Sequence, residues 1–200
     1  MLLNDISEFY ERIDYTFQNE DYLIHALTRT AFARENTIPL DYTMDYLAGL
    51  GDAVIEILVI QDIIASGVTA KGEITRLKIE QVNMSVLRAL GEKIELPDLV
   101  LWGKGEISMQ IWTSGRVLAE CFEALMGAVF MDGGMDAAKK VFGIVGVNRA
   151  AVCEKDMEAI KALAARYLPE KLRGKRTFKV EGKRSDKRFP LHLCIFSQER

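Results

Sequence analysis

Apolar residues recur at helical spacing through the first 150 residues, and this pattern predicts a chain of helices. The two strongest predicted helices cover Asp41–Ser66, which ends at Gly67, and Thr113–Met131, which ends at Gly133-Gly134. No segment before residue 150 alternates in the manner of a strand. The sequence therefore predicts a mainly α protein whose body is an all-helical bundle.

Shorter elements complete the predicted bundle. Further helices are expected over residues 5–13, Asp21–Thr28, Asp136–Val145 and Lys71–Leu90, the last as two helices or one with a bend near Asn83. Two segments that contain proline are predicted to be irregular, Ala31–Pro39 and Leu96–Gly105.

The C-terminal part has a different character. Residues 148–155 are predicted to link a body of residues 1–147 to a small α+β appendage of residues 156–200. In the appendage, an amphipathic helix over Met157–Tyr167 precedes two alternating segments, Thr177–Glu181 and Leu191–Ile195, which predict a β-hairpin. Two strands are too few to be stable alone, so the hairpin is expected to pack against a helix or the body.

Composition and charge narrow the class of protein. The chain is 49% hydrophobic and 28% charged, as in an ordinary soluble protein, and no apolar run is long enough to span a membrane. The first twelve residues have no continuous apolar core, so no secretory signal is recognised and a cytoplasmic location is expected. The cysteines and the two histidines lack metal-ligand spacing, and we interpret the cysteines as reduced thiols.

Charge is distributed unevenly along the chain. Residues 1–150 contain 22 acidic and 13 basic side chains, whereas residues 151–200 contain 7 acidic and 13 basic side chains. An acidic body suits a cation and a basic tail suits a polyanion such as nucleic acid, although a basic tail can also simply be solvated.

Carboxylates interrupt the apolar pattern of both strong helices. Because residues three and four apart share a helix face, two stripes form: Asp45, Ala48, Asp52 and Glu56 on one helix, and Arg116, Glu120, Glu123 and Gly127 on the other. A neighbouring helix can approach closely at Gly127, which has no side chain. If the stripes face each other, a hard divalent cation such as Mg²⁺ would relieve the repulsion between the acids. Alternatively, the acids face solvent or pair with Arg76, Lys78 or Arg116.

Five motifs follow one another within residues 23–146. They are Leu23-Ile24-His25-Ala26-Leu27-Thr28, Leu50-Gly51-Asp52-Ala53-Val54, Gly72-Glu73-Ile74-Thr75-Arg76-Leu77, Gly103-Lys104-Gly105-Glu106, and Leu118–Ala128 with Asp132-Gly133-Gly134 after it. In this order they resemble the catalytic domain of the ribonuclease III family, whose second motif ends in L-G-D-[AS]-V and whose last is L-A-D-A-F-E-A-L-I-G-A.

The resemblance implies a helical homodimer that cuts both strands of double-stranded RNA using Mg²⁺, with Mn²⁺ as a substitute, and leaves 5′-phosphates. It implies that Asp52 and Glu123 are catalytic and that Asp52, Glu120 and Glu123 bind the metal. Asp45, in the place of a family Glu, and Glu56, one turn beyond Asp52, are the candidate auxiliary acids.

The chain departs from the family pattern at four positions. Ala48 stands where most members have a metal-binding Glu, and Gly49 stands where they have a Phe that inserts into the partner subunit. Met44 replaces the family's Asn, and Arg29 replaces its His. The short variants called Mini-III are similar in having Ala in place of that Glu. Their example indicates that Asp52 and Glu123 can suffice.

The tail resembles the first helix and first two strands of a double-stranded-RNA-binding domain, without the third strand and the basic second helix. This resemblance assigns weak RNA contact to Lys183, Arg184, Lys187 and Arg188, or leaves the tail as an appendage that stabilises a dimer.

Three functions therefore stay open: an active endonuclease, a catalytically inactive protein that binds structured RNA within a ribonucleoprotein, and a helical dimer with no role in RNA. Ala48 and the partial tail favour the second, and the retained acids of the two strong helices favour the first.

Overall fold

The computed structural model describes residues 3–145, with side chains from residue 6 onward, and the backbone of two strands, 178–183 and 192–197. The mainly helical fold predicted from the sequence is confirmed. The helices within residues 3–145 are α1 (Leu3–Ile13), α2 (Glu20–Leu27), α3 (Thr30–Glu35), α4 (Asp45–Ala65), α5 (Lys71–Gln81), α6 (Met84–Lys93), α7 (Leu96–Leu99), α8 (Lys104–Ser108) and α9 (Gly115–Val145). Two 3₁₀ turns lie at Leu40–Tyr42 and Ile111–Thr113.

Helix α9 lies at the centre of the bundle. Every residue from Cys121 to Val129 is buried, because neighbouring elements that include α1, α2, α6 and α7 pack around this helix. The helix bends at Gly134, whose φ of 72° and ψ of −168° are accessible at low cost only to glycine. This bend divides α9 where the sequence predicts one helix to end and another to begin.

Helix α4 is the second long helix of the bundle. Leu47, Val54 and Leu58 are buried on its inner side, whereas Tyr46 and Ile57 are exposed. The helix begins four residues later than predicted. The Met44 amide donates to the Thr28 carbonyl oxygen (3.0 Å), which keeps the preceding backbone out of the helix.

The predicted break near Asn83 separates α5 from α6. The Asn83 side-chain oxygen accepts hydrogen bonds from the amides of Ser85 (3.0 Å) and Val86 (3.1 Å), and so caps the N-terminus of α6.

Two segments that were predicted to be irregular contain short helices. Helix α3 forms because Pro39 restricts only the chain close to it, and the completely buried Ala33 holds the helix in the bundle. Helix α7 has Pro97 in its first turn, where the missing N–H of proline is not needed.

A short backbone pairing joins the α2–α3 connection to the segment before α8. The Leu101 amide donates to the Leu27 carbonyl oxygen (2.7 Å), and the Arg29 amide donates to the Leu101 carbonyl oxygen (3.3 Å). Gly103 follows directly, and a Cβ at this position would lie 2.8 Å from the Ala31 Cβ. The start of α3 is therefore held tightly against the turn that begins α8.

The predicted hairpin is present in the tail, shifted by one or two residues. Strand β1 (Phe178–Lys183) pairs antiparallel with β2 (His192–Ser197), with Phe178 opposite Ser197 and Lys183 opposite His192. Nearly all of the helical residues belong to one compact unit and the hairpin belongs to a second. The predicted helix over Met157–Tyr167 and the predicted linker lie outside the described residues, so the predicted domain boundaries stay predictions.

Candidate metal centre

The site is built on the crossing of α4 and α9, where two glycines bring the helix backbones into contact. A Cβ on Gly51 would lie 1.7 Å from the Glu123 carbonyl oxygen, and a Cβ on Gly127 would lie 2.1 Å from the Leu47 carbonyl oxygen. Neither position can accept a side chain without separating the helices. The sequence indicated the close approach at Gly127 but not the matching one at Gly51.

The crossing brings the exposed carboxylate of Asp52 within electrostatic reach of the buried carboxyl of Glu123. Glu123 is only 7% exposed. Burial, reinforced by the negative charges of Asp52 and Glu120, raises the pKa of the Glu123 carboxyl from 4.5 to about 7, against an opposing effect of Arg116. Of the acids in the two predicted stripes, Asp52 and Glu120 therefore lie within electrostatic reach of Glu123.

Asp52 and Glu123 are not neutralised by the part of the chain that the structure describes. Within it, neither carboxylate forms an ion pair or a hydrogen bond. Of the two, only Glu123 is buried. An unpaired carboxylate is costly to bury, and a cation bound between Glu123 and the exposed Asp52 would lower that cost.

Glu120 adds negative charge to the site, but its own oxygens face two arginines. Its Oε1 accepts a hydrogen bond from Arg116 Nε (2.9 Å), and its Oε2 lies 3.8 Å from Arg29 Nη1. The Arg116 side chain is 78% exposed, whereas that of Arg29 is 16% exposed. The buried arginine is therefore the better fixed of the two partners.

The two candidate auxiliary acids make contacts elsewhere. Glu56 forms an ion pair with Lys78 of α5 (2.5 Å), one of the alternatives that the sequence offered. Asp45 accepts a hydrogen bond from the Thr30 hydroxyl (2.9 Å). Neither acid is among the groups that shift the pKa of Glu123.

The donor set fits a hard divalent cation by charge and by chemistry. Among the residues that the structure describes, no three His, Cys, Asp or Glu side chains are grouped so that they could hold a metal ion. Mg²⁺, however, is usually held by one or two carboxylates and keeps several waters, instead of occupying an all-protein cage. Asp52 and Glu123 supply two oxygen-donor side chains of this kind.

Sequence reasoning missed an ion pair beside the site. Arg29 Nε and Nη2 donate to Glu106 Oε1 at 3.0 and 2.9 Å, and both side chains are largely buried. Both residues lie in family-like motifs, but 77 positions separate them in the chain. The only signal in the sequence was that Arg29 replaces the family's usual His.

The remaining candidates are placed as follows. Cys121 is a buried thiol, and burial raises its pKa to about 12, which excludes a thiolate nucleophile at neutral pH.

Lys183 ends β1, and the other predicted RNA-binding residues, Arg184, Lys187 and Arg188, lie outside the described residues. None of the helices in the described part of the chain has the length and apolar character to cross a membrane.

Comparisons with known proteins agree with one another. A family model described as ribonuclease-III-like matches residues 19–160. Ribonuclease 3 of Syntrophotalea carbinolica is 36% identical over 145 residues, which cover 70% of this chain and 62% of that protein. Ribonuclease 3 of Bacillus velezensis is 34% identical over 157 residues, which cover 74% of this chain and 61% of that protein. The chain thus spans about three fifths of the length of these curated relatives.

A solved structure supports the same fold. The nuclease domain of ribonuclease III from Campylobacter jejuni matches with a TM-score of 0.64 at 25% identity, covering 70% of this chain and 94% of that one. That structure was described for its flexibility in a region involved in dimer formation.

Proposed function

The chain belongs to the ribonuclease-III-like family, and on that premise we propose that it is an endoribonuclease that hydrolyses phosphodiester bonds in double-stranded RNA. The observation that carries the proposal is Glu123, a buried carboxyl of raised pKa near Asp52 at a crossing where the backbones of two helices are in contact. A carboxylate pair of this kind is suited to binding a divalent cation next to a substrate phosphate.

Asp52 and Glu123 are the residues that would hold the ion, which is Mg²⁺ in this proposal, with Mn²⁺ as a substitute. When bound, the ion supplies an activated water and stabilises negative charge on the phosphodiester under attack. The contribution of the chain is to fix the two carboxylates through the backbone contacts of Gly51 and Gly127. Hydrolysis of the bond between phosphorus and the 3′ oxygen would leave the 5′-phosphate of the proposed product.

A homodimer would present two such centres, one for each RNA strand. Helix α4 carries Asp52, and its exposed residues include Tyr46, Gly49, Ala53 and Ile57, which lie along one side of the helix. We propose that a second copy of the chain covers this largely apolar face through a symmetric contact. The related nuclease domain, which was described for a region involved in dimer formation, supports a second copy of the chain as the partner.

The tail would add contacts to the RNA backbone. Lys183, Arg184, Lys187 and Arg188 are the proposed basic residues, and phosphate contacts of this kind supply affinity without reading the sequence. The cytoplasmic location expected from the sequence stays a prediction.

A specific observation favours the second candidate, an inactive protein that binds structured RNA. Ala48 has no carboxylate where most family members have one, and Glu120 forms an ion pair with Arg116. The two candidates differ in whether the remaining pair of carboxylates supports hydrolysis.

Cleavage of a long, end-labelled RNA duplex separates the two candidates. The parent chain is incubated with Mg²⁺, with a chelator, and beside an Asp52→Asn/Glu123→Gln variant. Metal-dependent cutting that this variant loses is the expected result. A matched variant, Asp45→Asn/Glu56→Gln, removes two charges from the same helix and should still cut. A duplex that stays intact but shifts in a gel would favour the binding protein.

A further inference from the structure

The guanidinium of Arg29 is fixed on several sides. Its Nε and Nη2 both donate to Glu106 Oε1, at 3.0 and 2.9 Å. Its central carbon lies 5.9 Å from the centre of a Trp102 ring, within the range of a cation–π contact. The backbone at Arg29 is held as well, because its amide donates to the Leu101 carbonyl oxygen.

The partner of this guanidinium is fixed too. The second oxygen of Glu106, Oε2, accepts a hydrogen bond from the Gly103 amide (3.1 Å) at the start of α8. The turn itself is held by Glu35, which accepts from the Lys104 amide at 3.0 Å with both oxygens. Glu106 is therefore an anchor that keeps Arg29 in one orientation.

The remaining nitrogen of Arg29, Nη1, faces Met44 and Glu120. It donates a hydrogen bond to the Met44 sulfur (3.5 Å) and forms an ion pair with Glu120 Oε2 at 3.8 Å. Glu120 lies one turn before Glu123 on the same face of α9, and its negative charge acts on the buried carboxyl. Ion pairs thus join Glu106 to Arg29 and Arg29 to Glu120, and the charge of Glu120 acts on Glu123.

We propose that Arg29 is a positioning residue that orients the Glu120 carboxylate at the metal centre from its anchor on Glu106. The inference rests on the proposed function. Because Glu106 neutralises Arg29, the pair can hold Glu120 in place without cancelling the attraction of the site for a cation. Lysine in this position would keep the charge, but its single nitrogen lacks the planar fork that faces both carboxylates.

The test measures the binding of Mn²⁺ to the whole chain without RNA, from the electron paramagnetic resonance signal of the free ion. Arg29→Lys should weaken Mn²⁺ binding by about tenfold, the lower end of the range seen when groups that orient metal ligands are changed. If Arg29 acts through Glu120, adding Arg29→Lys to a Glu120→Gln variant should cause no further loss. In cleavage of duplex RNA, the Mg²⁺ concentration for half-maximal rate should rise while KM for the duplex stays the same.

A matched control is Arg88→Lys, which changes an arginine paired with a carboxylate, Glu92, on the exposed side of α6. It should bind Mn²⁺ as the parent does. The Asp52→Asn/Glu123→Gln variant distinguishes the two levels of failure. If it binds Mn²⁺ as tightly as the parent, the metal centre itself is wrong and the inference falls with it. If it loses Mn²⁺ while Arg29→Lys binds normally, only the inference is overturned.

A second variant covers the case in which Arg29→Lys does not fold. Glu106→Gln keeps an acceptor for Arg29 but removes the charge that anchors it. It should also weaken Mn²⁺ binding, and again without further loss in the Glu120→Gln background. If the losses of Mn²⁺ affinity in Glu106→Gln and Glu120→Gln are additive, the Arg29–Glu106 pair has only a structural role. The same holds if Glu106→Gln lowers the stability and leaves the Mn²⁺ affinity unchanged.

Discussion

Glu123 binds its proton more tightly in the folded chain than in the unfolded chain. Burial and the charges of Asp52 and Glu120 raise its pKa from 4.5 to about 7, so between these values the folded state holds more protons. The free energy of unfolding of the metal-free chain should therefore fall as the pH rises through this window. A shift of this size corresponds to about 3 kcal/mol. Denaturant titrations at pH 4.5 to 8 should show that the free energy of unfolding of Glu123→Gln does not fall in this way. Equal pH profiles of the parent and the variant would contradict the raised pKa of Glu123.

Metal and proton compete for the same carboxylates. Because the cation binds the ionised form of Asp52 and Glu123, added Mg²⁺ should raise the Tm of the parent more at pH 8 than at pH 5. The Asp52→Asn/Glu123→Gln variant is the control, and its Tm should not respond to Mg²⁺ at either pH. An equal response of parent and variant would place the bound Mg²⁺ elsewhere on the chain.

At the level of helices, the contact between α4 and α9 depends on the absence of side chains at the crossing. Gly51→Ala would place a Cβ 1.7 Å from the Glu123 carbonyl oxygen, and we expect the helices to separate at a cost of about 1–3 kcal/mol or more. Gly143→Ala is the matched control, since Gly143 is exposed on α9 and nothing lies within 4 Å of a Cβ there. It should stabilise α9 by about 0.5–1 kcal/mol. Chemical denaturation at equal protein concentration gives the free energy of unfolding of both variants. Similar free energies would mean that the two helix backbones are not in close contact at Gly51.

The same helices show what the sequence could and could not predict. Helical periodicity located α4 and α9, and the absent side chain of Gly127 indicated a close approach, because these signals are local. Helix α3 was missed because six residues give too short a pattern beside a proline. The Arg29–Glu106 ion pair was missed for the opposite reason: its partners are 77 positions apart and meet only after the bundle has formed.

Across the whole molecule, the uneven charge predicts how RNA binding responds to salt. The basic tail should release counterions on binding, so affinity for a duplex should fall steeply as salt concentration rises. Changing Lys183, Arg184, Lys187 and Arg188 to Gln should reduce the slope of log affinity against log salt by about 0.9 for each phosphate that the tail no longer neutralises. Exchanging lysine and arginine at the same four positions keeps the charge and should preserve the slope. An unchanged slope in the Gln variant would remove the tail from the RNA interface.

The proposed dimer connects the outer face of α4 with the cutting of two strands. Ile57 is 43% exposed on this face, and Ile57→Glu would place a charge from each subunit in the proposed symmetric contact. Sedimentation equilibrium should then show a monomer. Ile79→Glu is the matched control, because Ile79 is 58% exposed on α5, and it should stay dimeric. Dimers in both variants would exclude this face as the interface.

Asp52 and Glu123 come from the same chain, so the monomeric Ile57→Glu variant should keep its affinity for Mn²⁺. A single centre can reach only one strand at a time. The variant is therefore expected to nick a duplex labelled on both strands instead of cutting both strands together. Nicked and fully cut products separate on denaturing and native gels run side by side. Coupled cutting by a chain that sediments as a monomer would mean that one centre serves both strands.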